Sequence, residues 1–333
     1  MKLAVVGTGK IVCEALPVLA AVSGIEVRAI CSRPESAEKA ASLASGAGIG
    51  KIYSSYEELL GSGCADTVYL GIVNSLHYKY AQAALEAGLS VICEKPFTST
   101  ADELDGLIET AAKKKLFLFE AASVLFSPPL ALIRERLRDL GQIRLVQCSY
   151  SQFSSRYKAY LEGEVLPVFD PRYSGGALYD LNVYNLHYVC ALFGRPASVS
   201  YHARRGPNGI DTSGVLVLDY PGFAAVCSAA KDSSGPSFVI VQGEEGWLEI
   251  VGPPNNPVGI RGSIAGQEVL IDLSTAQGSG EHRMAAEFRA FEEIVKNNNY
   301  DECARLLKHS RLVMQILTRA RRDAGIVFAA DRS

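Results

Sequence analysis

Met1-Lys2-Leu3-Ala4-Val5-Val6-Gly7-Thr8-Gly9-Lys10-Ile11-Val12 decides how the first third of this chain folds. A short apolar run meets a glycine turn, and a helical pattern over residues 11–22 follows. Gly7 permits the tight turn, and Gly9 lets an anionic group approach the backbone N–H groups at the positive end of the helix. A glycine pattern alone is a weak signal; a strand before it and a helix after it turn it into a dinucleotide-binding signal. Position 12 carries valine where such turns often have a third glycine, so helix and strand are expected slightly farther apart.

Outward from this stretch, apolar runs at 3–6, 26–31, 67–71, 89–93 and 116–119 alternate with helical patterns at 34–45, 56–60, 75–87 and 101–113. Strands alternating with helices imply βαβ units and a parallel sheet covered on both faces. Residues 1–121 therefore read as a Rossmann-type, doubly wound α/β domain. After a helix-like stretch at 130–140 the period changes to two, in runs at 143–150, 198–203, 215–220, 223–229, 238–242, 247–251 and 269–273. Tyr220-Pro221-Gly222 and Gly243-Glu244-Glu245-Gly246 separate them as hairpin turns. Residues 122–333 read as an α+β domain with a large, mainly antiparallel sheet. Met284, Phe288, Phe291 and Val295 form one helical stripe and Leu306, Ser310, Val313 and Leu317 another, so the last helices are expected to pack back on the body.

The chain has 333 residues, 48% of them hydrophobic, enough for two cores. A formal net charge of −3 gives no electrostatic footprint for nucleic acid or an anionic membrane. The opening apolar run is too short for a signal peptide and no run reaches membrane-spanning length, so a cytoplasmic protein is expected. Eight scattered cysteines without Cys-x-x-Cys spacing read as reduced core residues, and the five histidines form no ligand cluster, so no metal is expected.

Two strand ends carry chemistry. At the second, Ile30-Cys31-Ser32-Arg33-Pro34 lacks the acidic residue that would hold a ribose 2′-hydroxyl. An arginine fork there suits a 2′-phosphate, which favours NADP over NAD, although Arg33 is also the type of residue found solvated near a helix start. Farther on, Glu94-Lys95-Pro96 follows an apolar strand, placing Lys95 where open parallel sheets bind ligands. Proline restricts Lys95 to extended backbone and so aims its ammonium group. The plain alternative is a strand-ending surface lysine.

These motifs together resemble the Gfo/Idh/MocA oxidoreductases, the family of glucose-fructose oxidoreductase and inositol dehydrogenase. The similarity rests on Gly7-Thr8-Gly9, on Asn74-Ser75-Leu76-His77 followed by Cys93-Glu94-Lys95-Pro96, and on Gly175-Gly176-Ala177-Leu178-Tyr179-Asp180 leading to Tyr184 and Leu192-Phe193-Gly194. The final Ala320-Arg321-Arg322-Asp323-Ala324-Gly325-Ile326 is also similar to the family's last helix. The resemblance implies NADP or NAD held by Gly7, Thr8, Gly9, Lys10, Ile11, Ser32, Arg33, Gly71, Asn74, His77, Glu94 and Lys95. It implies a catalytic set of Lys95, Asp180 and Tyr184, with Lys95 between nicotinamide and substrate. Asn74 is also a candidate helix cap.

On a helix starting near Ala177, Asp180, Tyr184 and His187 fall at spacings of four and three and share one face. Hydride transfer between an alcohol carbon and the nicotinamide follows, with Tyr184 passing the hydroxyl proton. A phenol with a pKa of about 10 is a poor base at neutral pH, so an ammonium such as Lys95 is needed to favour its phenolate, and Asp180 would orient Lys95. Asn182 stands where many members have glycine, His187 replaces an acidic residue, and Leu125 replaces an arginine. These changes argue against a carboxylate substrate and for a hydroxyl-rich one, a sugar, polyol, cyclitol or dihydrodiol, with Asn182 and His187 as its contacts. Arg156, Tyr157, Arg172 and Tyr173 precede the catalytic helix and are open as substrate contacts or surface residues. The resemblance leaves two other readings, a non-catalytic NAD(P)-sensing regulator and an NAD-dependent glycosidase. It also implies a homodimer or homotetramer formed through the second domain's sheet.

Overall fold

The computed structural model describes residues 1–273 and 282–332. The chain forms two compact units: Met1–Ala121 with Met284–Arg311, and Ala122–Arg283 with Leu312–Ser333.

The first unit is built on strands β1 (Lys2–Val6), β2 (Glu26–Cys31), β3 (Lys51–Tyr53), β4 (Thr67–Leu70), β5 (Ser90–Glu94) and β6 (Leu118–Ala121). They pair in parallel in the order β3-β2-β1-β4-β5-β6, the doubly wound arrangement expected from the alternating pattern. Every residue of β4, β5 and β6 is buried, which is why these strands read as unbroken apolar runs rather than alternations. β3 escaped the sequence reading because Lys51-Ile52-Tyr53 is only three residues long and half open. Helices α1 (Lys10–Ala21) and α2 (Ala37–Ala47) pack together, as do α4 (His77–Glu86) and α5 (Ala101–Lys114), while the short α3 (Tyr56–Gly61) follows β3. α5 starts with a capping box, Thr100 Oγ1 accepting from Glu103 N–H while the Glu103 carboxylate accepts from Thr100 N–H at 3.2 Å.

The switch point of the sheet is packed backbone to backbone. Gly7 has φ +112°, and a Cβ there would overlap the carbonyl oxygen of Gly71 at the end of β4. On the other side of Gly71 an added Cβ would lie 2.5 Å from Val12 Cγ2. The valine in place of the third glycine therefore does not hold helix and strand apart. Gly71 gives up its side chain instead, and Val12 fills that space, fully buried.

The second unit contains an eight-stranded sheet ordered β14-β13-β12-β11-β7-β10-β9-β8. Its strands are β7 (Ile143–Ser151), β8 (Ser198–Arg205), β9 (Asp211–Tyr220), β10 (Phe223–Ala230), β11 (Phe238–Gly243), β12 (Gly246–Val251), β13 (Gly259–Ile264) and β14 (Gln267–Asp272). Only β7 and β10 run parallel; the other neighbours are antiparallel. Both hairpin turns expected from sequence are present, Pro221-Gly222 between β9 and β10 and Glu244-Glu245 between β11 and β12. β13 was unreadable because Gly259 and Gly262 interrupt its alternation. Helices α6 (Pro128–Arg136), α7 (Tyr157–Leu161) and α8 (Val183–Phe193) belong to this unit.

The C-terminal helices are α9 (Ala285–Lys296) and α10 (Tyr300–Asp323), and α9 completes the first unit's core. Phe288 meets Tyr69 of β4 edge to face at 5.8 Å, and Phe291 stacks on Phe119 of β6 at 4.5 Å. Ile294 takes the buried place that the stripe assigned to Val295. Among the described residues no helix is long and apolar enough to cross a membrane.

If Gly71 is small in order to admit Val12, Gly71→Ala alone overpacks the switch point and costs about 1–3 kcal/mol. Adding Val12→Ala should return part of that loss, so urea unfolding of the two single variants and the double variant should show strong non-additivity.

Candidate functional site

The glycine turn of the first unit lies at the carboxyl ends of β1, β2 and β4. Gly7 N–H donates to Cys31 O at 2.9 Å and Gly71 N–H to Val6 O at 3.0 Å, so the three strand ends are tied together. Gly9 is the N-cap of α1 with no side chain capping it, which leaves the first-turn N–H groups for an anion. Thr8 and Ile11 beside them are half-buried. Lys10 is 86% exposed and makes only a 3.8 Å contact with Glu14, a surface pair of little energetic weight. At the end of β2, Ser32 is buried and its hydroxyl donates to Arg33 O at 3.1 Å. Arg33 is exposed and enters no ion pair among the described residues. These residues fit a dinucleotide: a backbone cradle with no side chain in it, and a guanidinium at the second strand end.

Two of the expected cofactor contacts, His77 and Glu94, are buried and bonded to the protein itself. His77 is fully buried, with Nδ1 3.0 Å from Pro96 O and Nε2 3.2 Å from Ile72 O. Burial lowers its pKa, so the ring is neutral near pH 7, and both ring nitrogens face backbone carbonyl oxygens. Glu94 is also buried and accepts a hydrogen bond from Tyr69 Oη at 2.6 Å; burial first, and this carboxylate second, raise the Tyr69 pKa well above that of a free phenol. Asn74 opens a short 3-10 turn ahead of α4, one place after the N-cap of that turn, Val73. Lys95 follows the last residue of β5, half-buried, and its bond to Pro96 is cis.

In the second unit Gly176, at φ +100°, makes the turn, but the chain does not enter an ordinary helix. Leu178–Asn182 winds as a π-helix before α8 begins at Val183. Asp180 is therefore carried by the π-turn, and Tyr184 and His187 by α8, rather than all three by one α-helix. Asp180 pairs with Lys231, a buried residue just beyond β10. Sequence reasoning missed Lys231, although Ala229-Ala230-Lys231-Asp232 carries the same signal as Lys95: a charge directly at the end of an apolar strand. Tyr184 is buried, its ring 5.8 Å from that of Tyr150.

The expected substrate contacts Asn182 and His187 are both fully buried. Asn182 Nδ2 donates to Cys227 O at 3.0 Å, and Asn185 Nδ2 to Asn182 Oδ1 at 2.8 Å and Ser228 O at 3.0 Å. Asn182 therefore stitches the π-turn to β10 and does not line an open cleft. Arg172 is held by Asp170, its Nε 2.9 Å and its Nη2 2.6 Å from Oδ2, while Arg156 is exposed at the start of α7.

Two clamps secure the π-turn. Asp211 accepts from Leu178 N–H at 2.6 Å and Tyr201 Oη at 2.7 Å; burial outweighs these bonds and raises its pKa. Tyr179, next to Asp180, packs edge-on to Phe328 at 4.9 Å, and the Arg321 guanidinium lies 4.1 Å over the Phe328 ring. Arg321 is buried and paired with Asp331, Nη2 to Oδ1 at 2.8 Å. Although burial opposes it, this pairing and a bond from Phe328 N–H at 2.8 Å bring the Asp331 pKa down to about 2.

A family model described as "Oxidoreductase family, NAD-binding Rossmann fold" matches residues 1–121, and one described as "GFO/IDH/MocA C-terminal domain" matches residues 131–249. The scyllo-inositol 2-dehydrogenase (NADP(+)) IolU of Bacillus subtilis is 30% identical over 333 residues, 100% of both chains. The trans-1,2-dihydrobenzene-1,2-diol dehydrogenase of Sus scrofa is 28% identical over 296 residues, 85% of each. Among solved structures, KijD10, a 3-ketoreductase from Actinomadura kijaniata, superposes with a TM-score of 0.84 at 21% identity, covering 97% of both chains, and shares the fold.

A carboxylate whose pKa is lowered stabilises the fold above its unfolded value and loses that contribution as pH falls through the folded value. Asp331→Asn should cost roughly 1–2 kcal/mol at pH 7, discounted for partial exposure. The gap from wild type should close between pH 3.8 and about 2 in denaturant titrations.

Proposed function

The chain belongs to the Gfo/Idh/MocA oxidoreductase family, and on that premise we propose that it is an NADP-dependent dehydrogenase or reductase acting on a CH–OH carbon of a sugar, cyclitol, other polyol or dihydrodiol. The observation that carries this reading is the end-to-end match to a dehydrogenase whose name specifies scyllo-inositol and NADP(+). Arg33 supports the cofactor choice, because its exposed guanidinium, with no ion pair among the described residues, suits a 2′-phosphate.

When bound, NADP supplies the carbon that accepts or gives up the hydride. The N–H groups of α1 next to Gly9 and the Arg33 fork hold its phosphates. By resemblance to the family, Lys95 is the group that presents positive charge to the substrate oxygen, and Tyr184 the group that exchanges the hydroxyl proton at its Oη. Asp180 contributes negative charge, His77 contacts the backbone at Ile72 O and Pro96 O, and Glu94 accepts a hydrogen bond from Tyr69 Oη. Eight free thiols, six of them buried, support a reducing compartment, in line with a cytoplasmic enzyme. Exposed Val215, Trp247 and Leu270 on the eight-stranded sheet support a homo-oligomer.

A panel of aldoses, ketoses, cyclitols and dihydrodiols, followed by nicotinamide absorbance with both cofactors, should give turnover on a cyclic polyol with NADP⁺ preferred. Glycoside cleavage with no absorbance change would overturn the reading. Arg33→Ala should weaken NADPH binding about ten- to a hundredfold and leave NADH binding nearly unchanged, as measured by fluorescence titration. Tyr184→Phe and Lys95→Ala should each lower kcat roughly 100-fold or more, with cofactor affinity within a few-fold of wild type.

A further inference from the structure

Lys231 follows Ala230, the last residue of β10, and its backbone N–H donates to Thr212 O at 2.8 Å, which fixes the root of its side chain. Its ammonium meets Asp180 Oδ2, lies 3.3 Å from Val168 O and stands 5.0 Å from the centroid of the Phe169 ring. The pair is lopsided in exposure: the Lys231 side chain is 3% exposed and that of Asp180 34%. An ammonium withdrawn from water is costly unless it is paired and hydrogen-bonded; here Asp180, Val168 O and the Phe169 ring receive it, and the buried Asp211 carboxylate of β9 is close enough to feel its charge. The cation therefore stands behind the carboxylate while the carboxylate keeps an open side.

We propose that Lys231 is a positioning residue of the reaction: it fixes the orientation of Asp180 and ties the π-turn to Val168 and Phe169, without touching the substrate itself. This rests on the reading that Asp180 serves catalysis. The buried Lys231 ammonium restricts rotation of the Asp180 carboxylate, so losing it would loosen the group that works rather than remove it. Its effect should then fall on the chemical step more than on cofactor binding.

The test uses the full chain with NADP⁺ and scyllo-inositol, or whichever panel member gives the highest turnover. Lys231→Met is expected to lower kcat ten- to a hundredfold with the cofactor KM within about twofold, and Lys231→Arg to lower it only several-fold. In an Asp180→Asn background the further change to Lys231→Met should cost less than threefold, because Lys231 acts through that carboxylate. A folded Lys231→Met enzyme with kcat within twofold of wild type overturns the proposal, as does full additivity with Asp180→Asn. Should Lys231→Met fail to fold, Lys231→Arg decides: a several-fold drop in kcat at constant cofactor KM supports the proposal, and an unchanged kcat overturns it. Asp180→Asn and Tyr184→Phe run alongside. Wild-type turnover in both brings down the catalytic reading and this proposal together, whereas their loss beside a fully active Lys231→Met brings down this proposal alone.

Discussion

Two backbone positions that cannot carry a side chain, Gly7 and Gly71, set the geometry on which the nucleotide half depends. Their contact brings the turn after β1 against the end of β4, with the Gly71 carbonyl in the volume a Gly7 side chain would need. The register does the rest: Val6 pairs with Leu70 and Leu70 with Cys93, so β1, β4 and β5 finish level. Gly7, Gly71 and Glu94 therefore stand in a row, and Lys95 comes next on the same edge. A parallel sheet leaves its ligand crevice outside the strand ends, and here that edge is fixed by main-chain contact rather than by adjustable side chains. The valine at position 12 shows how strict the constraint is. Steric room lost on the helix is recovered on the strand, and the backbone approach stays the same.

The second unit solves its positioning problem differently, with buried charge. The turn that carries Asp180 is a π-helix, a conformation with weak intrinsic support, so the neighbouring structure must hold it. Asp211 takes the N–H of Leu178, Asn182 reaches Cys227 O, and Lys231 takes Asp180. Arg321, Asp331 and Phe328 close the side next to Tyr179. Each of these groups would be unfavourable alone in a desolvated place; together they satisfy one another and leave the turn few alternatives.

Much of the architecture was legible because it follows from periodicity. Unbroken apolar runs gave β1, β2, β4, β5 and β6, and alternation gave most of the second sheet, since burial on two faces or one leaves those signatures directly. β3 and β13 were illegible for the opposite reason: a three-residue edge strand and a strand carrying two glycines have too little pattern to read. The π-turn left no trace in spacing, because a sequence numbered in steps of three and four assumes the α-helix it is meant to detect. Lys231 was visible as a charge at a strand end but had no motif to single it out from other lysines.

The candidate site residues differ sharply in burial. Sequence marks residue types suited to chemistry, while burial decides which of them reaches a ligand, and neighbours on one strand or turn differ in that respect. Glu94 goes into the interior to Tyr69, and half-buried Lys95 follows it; His77 contacts Pro96 O, in the peptide one step beyond Lys95. Asn182 holds the π-turn to β10, while Asp180, two residues earlier, keeps an open side. A motif of this kind thus contains both the groups that act and the groups that hold them. Substituting a holder removes a buried hydrogen bond and moves an actor, so loss of activity at Glu94, His77 or Asn182 does not by itself place that side chain on the substrate. What separates the two classes is the direction of the kinetic effect, since a displaced actor lowers turnover while a lost contact weakens binding.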